Sequence, residues 1–198
     1  MKRIGSLLMV VLLCICVLGG CQSDSSQQEH SFVQLTLEKG NVVIELYPEI
    51  APKSVKLFLE CVKSGYYDGK VFHRSLPGFI QGGSADGFGV GGYGKAVQGE
   101  FTENGFENNL KHERGVISLA RTENPNSAIG QFFIMTAAEP AFDGRYATFG
   151  KVVEGIEFVD EIEAMPTRGY ANDELVTKPV IVKAEILKDY VPESSQKE

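Results

Sequence analysis

Phe32-Val33-Gln34-Leu35-Thr36-Leu37-Glu38-Lys39-Gly40-Asn41-Val42-Val43-Ile44-Glu45-Leu46-Tyr47 is the stretch that sets the fold class. Val33, Leu35 and Leu37 alternate with Gln34, Thr36 and Glu38, the period of a strand with one buried face. Gly40-Asn41 supplies a turn, and Val42 to Tyr47 reads as the returning strand. Downstream, Pro52 opens a helix with Val55, Phe58, Leu59 and Val62 on one face, and Ser64-Gly65 ends it. Short apolar runs rich in β-branched and aromatic residues follow at Val116 to Leu119, Phe132 to Thr136, Ala147 to Val153 and Val180 to Leu187. Gly155 to Ile162 reads as a second short helix, closed by Pro166. Many short strands, many glycines and only two helices predict an antiparallel barrel or sandwich. No internal repeat is present. The domain is expected to span 32–189, with 190–198 a polar tail.

Upstream of the domain the pattern is different. Met1-Lys2-Arg3 is a short basic start, and Leu7 to Leu18 is almost wholly apolar, shorter than the roughly 20 residues a bilayer requires. A basic start, an apolar run and small residues are the grammar of a secretory signal peptide, expected here over 1–20. Leu18-Gly19-Gly20-Cys21 resembles the lipobox of bacterial lipoproteins. The resemblance implies that Cys21 becomes the lipidated first residue and that the chain is anchored to a bacterial membrane outside the cytoplasm. Several acyl chains hold far more firmly than one, at about 0.8 kcal/mol per buried CH₂. The Gln- and Ser-rich segment that completes 21–31 reads as a flexible tether.

Composition narrows the function classes. The 198 residues carry a formal charge of −7, and removal of 1–20 would take away two positive charges and no negative ones. Such a chain has no general attraction to nucleic acid, which needs clustered Lys and Arg. Of Cys14, Cys16, Cys21 and Cys61, only Cys61 would remain as a free thiol, so the mature domain is expected to hold no disulfide and to use Cys61 as a small buried hydrophobe. Gly87-Phe88-Gly89-Val90-Gly91-Gly92 fits G-x-G-x-x-G, but no amphipathic helix follows to receive a pyrophosphate, so it reads as a flexible loop. Lys95 precedes Ala96, not Ser or Thr. Ser84 lacks the second glycine of a nucleophile elbow. His30, His73 and His112 have no ligand spacing, so neither a metal nor a cofactor is expected.

Two stretches remain: Phe72-His73-Arg74-Ser75-Leu76-Pro77-Gly78-Phe79-Ile80-Gln81-Gly82-Gly83, and Asn124-Pro125-Asn126-Ser127-Ala128-Ile129-Gly130-Gln131-Phe132-Phe133-Ile134. Both resemble signature segments of cyclophilins. The resemblance extends through Gly99-Glu100-Phe101, Leu110-Lys111-His112, Gly115 to Arg121 and Phe142-Asp143-Gly144-Arg145-Tyr146, and so covers Phe32 to Leu187. It implies a closed eight-stranded antiparallel β-barrel capped by two α-helices, with the active site on the outer wall. It also implies peptidyl-prolyl cis-trans isomerase activity, with Arg74 as the catalytic residue. Phe133 and Phe142 would line the proline pocket with Phe79 beside them. Gln81 and Gln131 would hold the guanidinium and the substrate carbonyl. The Arg121 backbone N–H would bind a peptide carbonyl, with Ala120 on the wall and Tyr146 at the edge. His73 is read as structural, because the reaction transfers no proton.

The implied partners are proline-containing peptides and unfolded exported proteins, met by a monomer. The alternative is a chaperone module that binds proline segments without turnover. Three departures stand out. Phe79-Ile80-Gln81 is one residue shorter than the usual spacing, Ala141 replaces the usual aromatic residue, and Tyr146 replaces the usual His.

Overall fold

The computed structural model describes residues 31–169 and 173–192. Cys21 and the signal and tether segments lie outside the described residues, as does the tail from 193. Eight strands and two α-helices are described: β1 (Ser31–Leu37), β2 (Asn41–Leu46), α1 (Pro52–Lys63), β3 (Phe72–Leu76), β4 (Phe79–Gly82), β5 (Val116–Leu119), β6 (Phe132–Met135), β7 (Thr148–Glu154), α2 (Ile156–Glu163) and β8 (Ile181–Leu187). They form one antiparallel sheet in the order β3-β4-β6-β5-β7-β2-β1-β8. The hairpin read from the sequence is β1–β2, with Val33 opposite Ile44 and Leu35 opposite Val42.

The expected closed barrel is corrected to an open half-barrel. No ladder joins the outermost strands β3 and β8 to each other. The seam between them is crossed by a single bridge, Val71 to Val180, and by three bonds: Gly69 N to Ile181 O (2.8 Å), Ile181 N to Lys70 O (2.7 Å) and Phe72 N to Pro179 O (3.0 Å). Pro179 cannot donate to a ladder, which limits regular pairing at this edge.

The strands β3 and β4 were not legible from periodicity, because they are short and β3 is polar. Their hairpin turns on Pro77-Gly78. Proline fixes φ at the first turn position, and Gly78 takes a φ of 102°, which side chains avoid. The Gly78 carbonyl accepts bonds from Thr136 N (2.8 Å) and Ala137 N (3.3 Å), which tie the turn to the end of β6.

The main core lies on the inner face of the sheet and under α1. Helix α1 buries Ser54, Val55, Leu57, Phe58, Cys61 and Val62, so Leu57 belongs to the core while Leu59 is only half-buried. Phe58 packs edge-on to Phe132 and tilted against Tyr67 and Phe149, with centroids 5.1–5.5 Å away. Cys61 is fully buried, and burial pushes its thiol up to about 11.

A helix leaves its first N–H groups unsatisfied, and Ala51 at the cap position has no side chain to serve them. Glu100 does so from 47 residues downstream. Its buried carboxylate accepts from Lys53 N (2.9 Å), Ser54 N (2.8 Å) and Ser54 Oγ (2.7 Å), at the positive end of the helix dipole. Glu100→Ala removes these charge-assisted bonds and is expected to cost about 2–3 kcal/mol. For a chain of this size that lowers Tm by roughly 4–12 °C. Glu100→Gln should lose less, and thermal melts of the two variants check the ranking.

Candidate active site

The site is built on the outer face of one wall. Arg74 on β3 pairs with Gln81 on β4, Gln81 pairs with Phe133 on β6, and Phe133 pairs with Ser118 on β5. Paired residues share a face, so these four form one row across the wall. Residues on the other parity (Ile80, Phe132, Ile134, Ile117 and Leu119) point inward and are buried in the main core.

One local irregularity makes the row possible. Phe72 and Arg74 are two residues apart and would share a face in a regular strand. A bulge between them opposes Phe72 to Gly82 and Arg74 to Gln81, so Phe72 enters the core and Arg74 comes out. Re-aiming a side chain in this way is a recurrent use of bulges.

On the outer face Phe79, Phe133, Phe142 and Tyr146 form a second, smaller apolar cluster with Val116, Met135, Leu110 and Ala120. Ring centroids lie 5.5 Å apart for Phe79–Phe133, 5.7 Å for Phe79–Phe142, 5.9 Å for Phe133–Phe142 and 5.3 Å for Phe133–Tyr146. The tilted and edge-on geometry suits aromatic quadrupoles and makes the cup rigid. A cavity of about 130 Å³ opens here, lined by Arg74, Phe79, Gln81, Ala120, Arg121, Phe133, Phe142 and Tyr146. These are the residues singled out in the sequence, apart from Gln131, which stands one hydrogen bond behind them. The short spacing is also resolved: Phe79 and Gln81 face the cavity and Ile80 is fully buried.

The Arg74 guanidinium carbon lies 5.9 Å from the Phe79 ring centroid. Its Nε is buried with no hydrogen-bond partner, and among the described residues the side chain donates to nothing. A donor so placed beside an apolar cup can serve an acceptor brought in by a ligand. Neither of the two glutamines expected to hold the guanidinium and the substrate carbonyl bonds to Arg74. Gln81 Nε2 donates to Gln131 Oε1 (3.0 Å), and Gln131 Nε2 donates to the carbonyls of Gly89 (3.0 Å) and Gly91 (2.7 Å). Gln131 therefore latches the glycine loop to the site wall. The loop supplies carbonyls at hydrogen-bonding range because Gly89 and Gly91 adopt φ of 102° and 72°.

Arg121 has a role the sequence did not reveal. Its guanidinium donates to the Arg145 carbonyl through Nε (3.0 Å) and Nη2 (2.8 Å), and to the Thr122 carbonyl through Nη1 (2.8 Å). It sits 4.7 Å from the Tyr146 ring and 5.1 Å from that of Phe101, a cation held between two aromatic faces. Its backbone N–H has no partner among the described residues. Beyond Arg121 a wider groove of about 610 Å³ continues, lined by Phe101, Glu103, Thr122, Glu123, Pro125 and Arg145 as well as Arg121 and Tyr146. Contacts between residues 20 or more positions apart carry no local sequence signal, which is why this groove was not foreseen. Ala141 is exposed in the turn Pro140–Phe142 and takes no part in the cup.

The comparisons with known proteins agree with this geometry. The family described as cyclophilin type peptidyl-prolyl cis-trans isomerase/CLD matches residues 32–186. A peptidyl-prolyl cis-trans isomerase of Acinetobacter baylyi is 39% identical over 168 residues, 82% of this chain and 87% of its own length. Peptidyl-prolyl cis-trans isomerase A of Dickeya dadantii is 41% identical over 165 residues, 79% of this chain and 84% of its own. A crystal structure of a Cryptosporidium parvum cyclophilin type isomerase matches with a TM-score of 0.73 at 29% identity, over 82% of this chain and 100% of that one. The same protein crystallised in the presence of the dipeptide Ala-Pro gives 0.71 at 30% identity, over 80% and 99%. The chain belongs to the cyclophilin-type peptidyl-prolyl cis-trans isomerase family.

His73, inside the bulge, is buried behind the row and shares a 3.3 Å hydrogen bond with Ser84 Oγ, which also accepts from Gly89 N (3.2 Å). The imidazole is neutral at pH 7. Burial first, then the charges of Lys178 and Arg74, push its pKa down to about 4. Below the ordinary value near 6.5 the unfolded chain takes up a proton that the folded one refuses. Stability present at neutral pH is thus lost as pH falls from about 6.5 toward 4, by about 2–3 kcal/mol from this residue at pH 4.5. Thermal melts between pH 7.5 and 4.5 should show a decline that His73→Asn makes shallower.

Proposed function

We propose that this chain is an isomerase tethered outside the cytoplasmic membrane, where it rotates X-Pro bonds of exported proteins and so assists their folding. The observation that carries the catalytic reading is the juxtaposition of the Arg74 guanidinium, which donates to nothing among the described residues, with the cup of Phe79, Phe133 and Phe142. The Ala-Pro dipeptide named for the Cryptosporidium parvum relative supports a proline ring as the occupant.

An X-Pro bond is held planar by amide resonance behind a barrier of about 18–20 kcal/mol. No bond breaks and no proton moves. The enzyme has only to bind the twisted amide better than either planar isomer. On twisting, the proline nitrogen regains its lone pair and becomes an acceptor, to which Arg74 donates. The cup holds the ring while the preceding carbonyl swings, and the open backbone N–H of Arg121 anchors the peptide. A millionfold acceleration corresponds to about 8 kcal/mol, more than one charge-assisted bond supplies, so positioning by the rigid rings shares the work.

Arg74→Ala should lower kcat/KM for a proline peptide by about two orders of magnitude, the scale of losing one preorganised donor. Peptide affinity should fall much less, because the cup is untouched. Arg74→Lys should recover only part, since a point charge lacks the planar fork. A coupled isomerisation assay with a binding titration on each folded variant measures both quantities. Near-normal turnover by Arg74→Ala would remove its assigned role, and binding without turnover by the unaltered chain would leave a holding module instead.

The location rests on the lipobox-like Leu18 to Cys21 behind an apolar run. Cys21→Ala should abolish lipid attachment and move the protein from the membrane fraction to the soluble one. Mass spectrometry that finds an unmodified Cys21, or a mature start elsewhere, overturns the anchor.

A further inference from the structure

Behind the cup lies a buried polar chain that the isomerisation chemistry does not call on. His112 is almost wholly buried just before β5. Asp143 Oδ1 accepts from the His112 backbone N (2.8 Å) and lies 3.1 Å from its ring Nδ1. Ring Nε2 lies 2.9 Å from Ser118 Oγ, and Ser118 is fully buried. The arrangement has the order Asp-His-Ser of a nucleophilic triad, but the serine has no access to solvent or substrate.

Its connections point elsewhere. Asp143 follows Phe142 directly in the chain, and Ser118 is the register partner of Phe133. Each hydrogen bond of the imidazole therefore ends on a group joined to one wall of the cup. The ring itself stacks on Phe133 at 5.9 Å and 10°, and stands edge-on to Phe142 at 5.8 Å and to Tyr146 at 6.3 Å. Three of the four rings of the cup rest on one side chain.

We propose that His112 is a positioning residue of the isomerase site, the buried pillar that fixes Phe133, Phe142 and Tyr146 at the spacing that grips the proline ring. The inference rests on the cup being the proline pocket. A carboxylate can only accept, so Nδ1 carries the proton and Ser118 donates to Nε2. This fixes a single neutral tautomer and with it the ring plane. The groups facing the ring are consistent with that state. Burial lowers the imidazole pKa against the opposing pull of Asp143, and Lys111 lowers it further. Burial raises the Asp143 carboxyl, but bonds from the His112 backbone and ring, with the charges of Lys111 and His112, hold it below the usual range. Lys111 Nζ lies 3.5 Å from Asp143 Oδ2.

The test uses the full chain and a proline-containing peptide. Nitrogen-15 NMR of the unaltered protein at pH 7 should show the His112 ring protonated at Nδ1 only; a doubly protonated or Nε2-protonated ring overturns the proposal. His112→Phe keeps an aromatic ring but loses both bonds. It should raise the peptide Kd and KM by about tenfold, with kcat changed by less than about threefold. Asp143→Ala, less buried and less disruptive to folding, should shift Kd and KM in the same direction, and Asp143→Asn should restore most of the loss. Folded variants with Kd and KM within about twofold of the parent, or a loss confined to kcat, overturn the positioning role. Failure of the Arg74 reading looks different, because it leaves the tautomer and the affinity losses in place.

Discussion

Side chains on a strand alternate between faces, and the wall made by β3, β4, β6 and β5 has to satisfy two apolar clusters at once. Inward residues fill the core beneath α1, while outward residues build the cup. The row Arg74–Gln81–Phe133–Ser118 depends on that parity being kept across four strands. It also depends on parity being broken once, at His73, so that Phe72 and Arg74 face opposite ways. Shifting any strand of the wall by one residue would exchange core and site, a far larger penalty than losing a single contact. The site therefore inherits its precision from the core packing on the reverse side.

Buried polar groups are costly unless satisfied, and here they also fasten the long connections to the sheet. Asn108 donates to the carbonyls of Glu100 and Thr148, both at 2.9 Å, and accepts from Thr148 Oγ1 (2.8 Å) and Leu110 N (3.3 Å). Glu100 caps α1, and Asn108 pins the backbone that carries Glu100. His112 and Asp143 then tie the end of that segment to the turn bearing Phe142. The connection between β4 and β5 is long, yet it is stitched to the helix, to β7 and to the cup in sequence. Gln131 does the same for the glycine loop. The G-x-G-x-x-G pattern thus serves to present carbonyls to a side chain.

Much of this was legible in the sequence because it is written in local patterns. The alternation of Val33, Leu35 and Leu37 determined the β1–β2 hairpin, and the helical spacing of Val55, Phe58 and Val62 determined α1. Apolar runs marked β5 to β8, and the segments that resemble cyclophilins named the residues that line the cavity. Only the tertiary structure decided the rest. The bulge at His73, the open seam between β3 and β8, the cap supplied by Glu100, the turning of Gln131 to the glycine loop and the Asp143–His112–Ser118 chain all join residues through space or break a period locally. The physical reason is one of range. Strand and helix periods follow from the geometry of a few adjacent residues, whereas a buried donor takes whichever acceptor folding brings within about 3 Å, and no spacing along the chain records that choice.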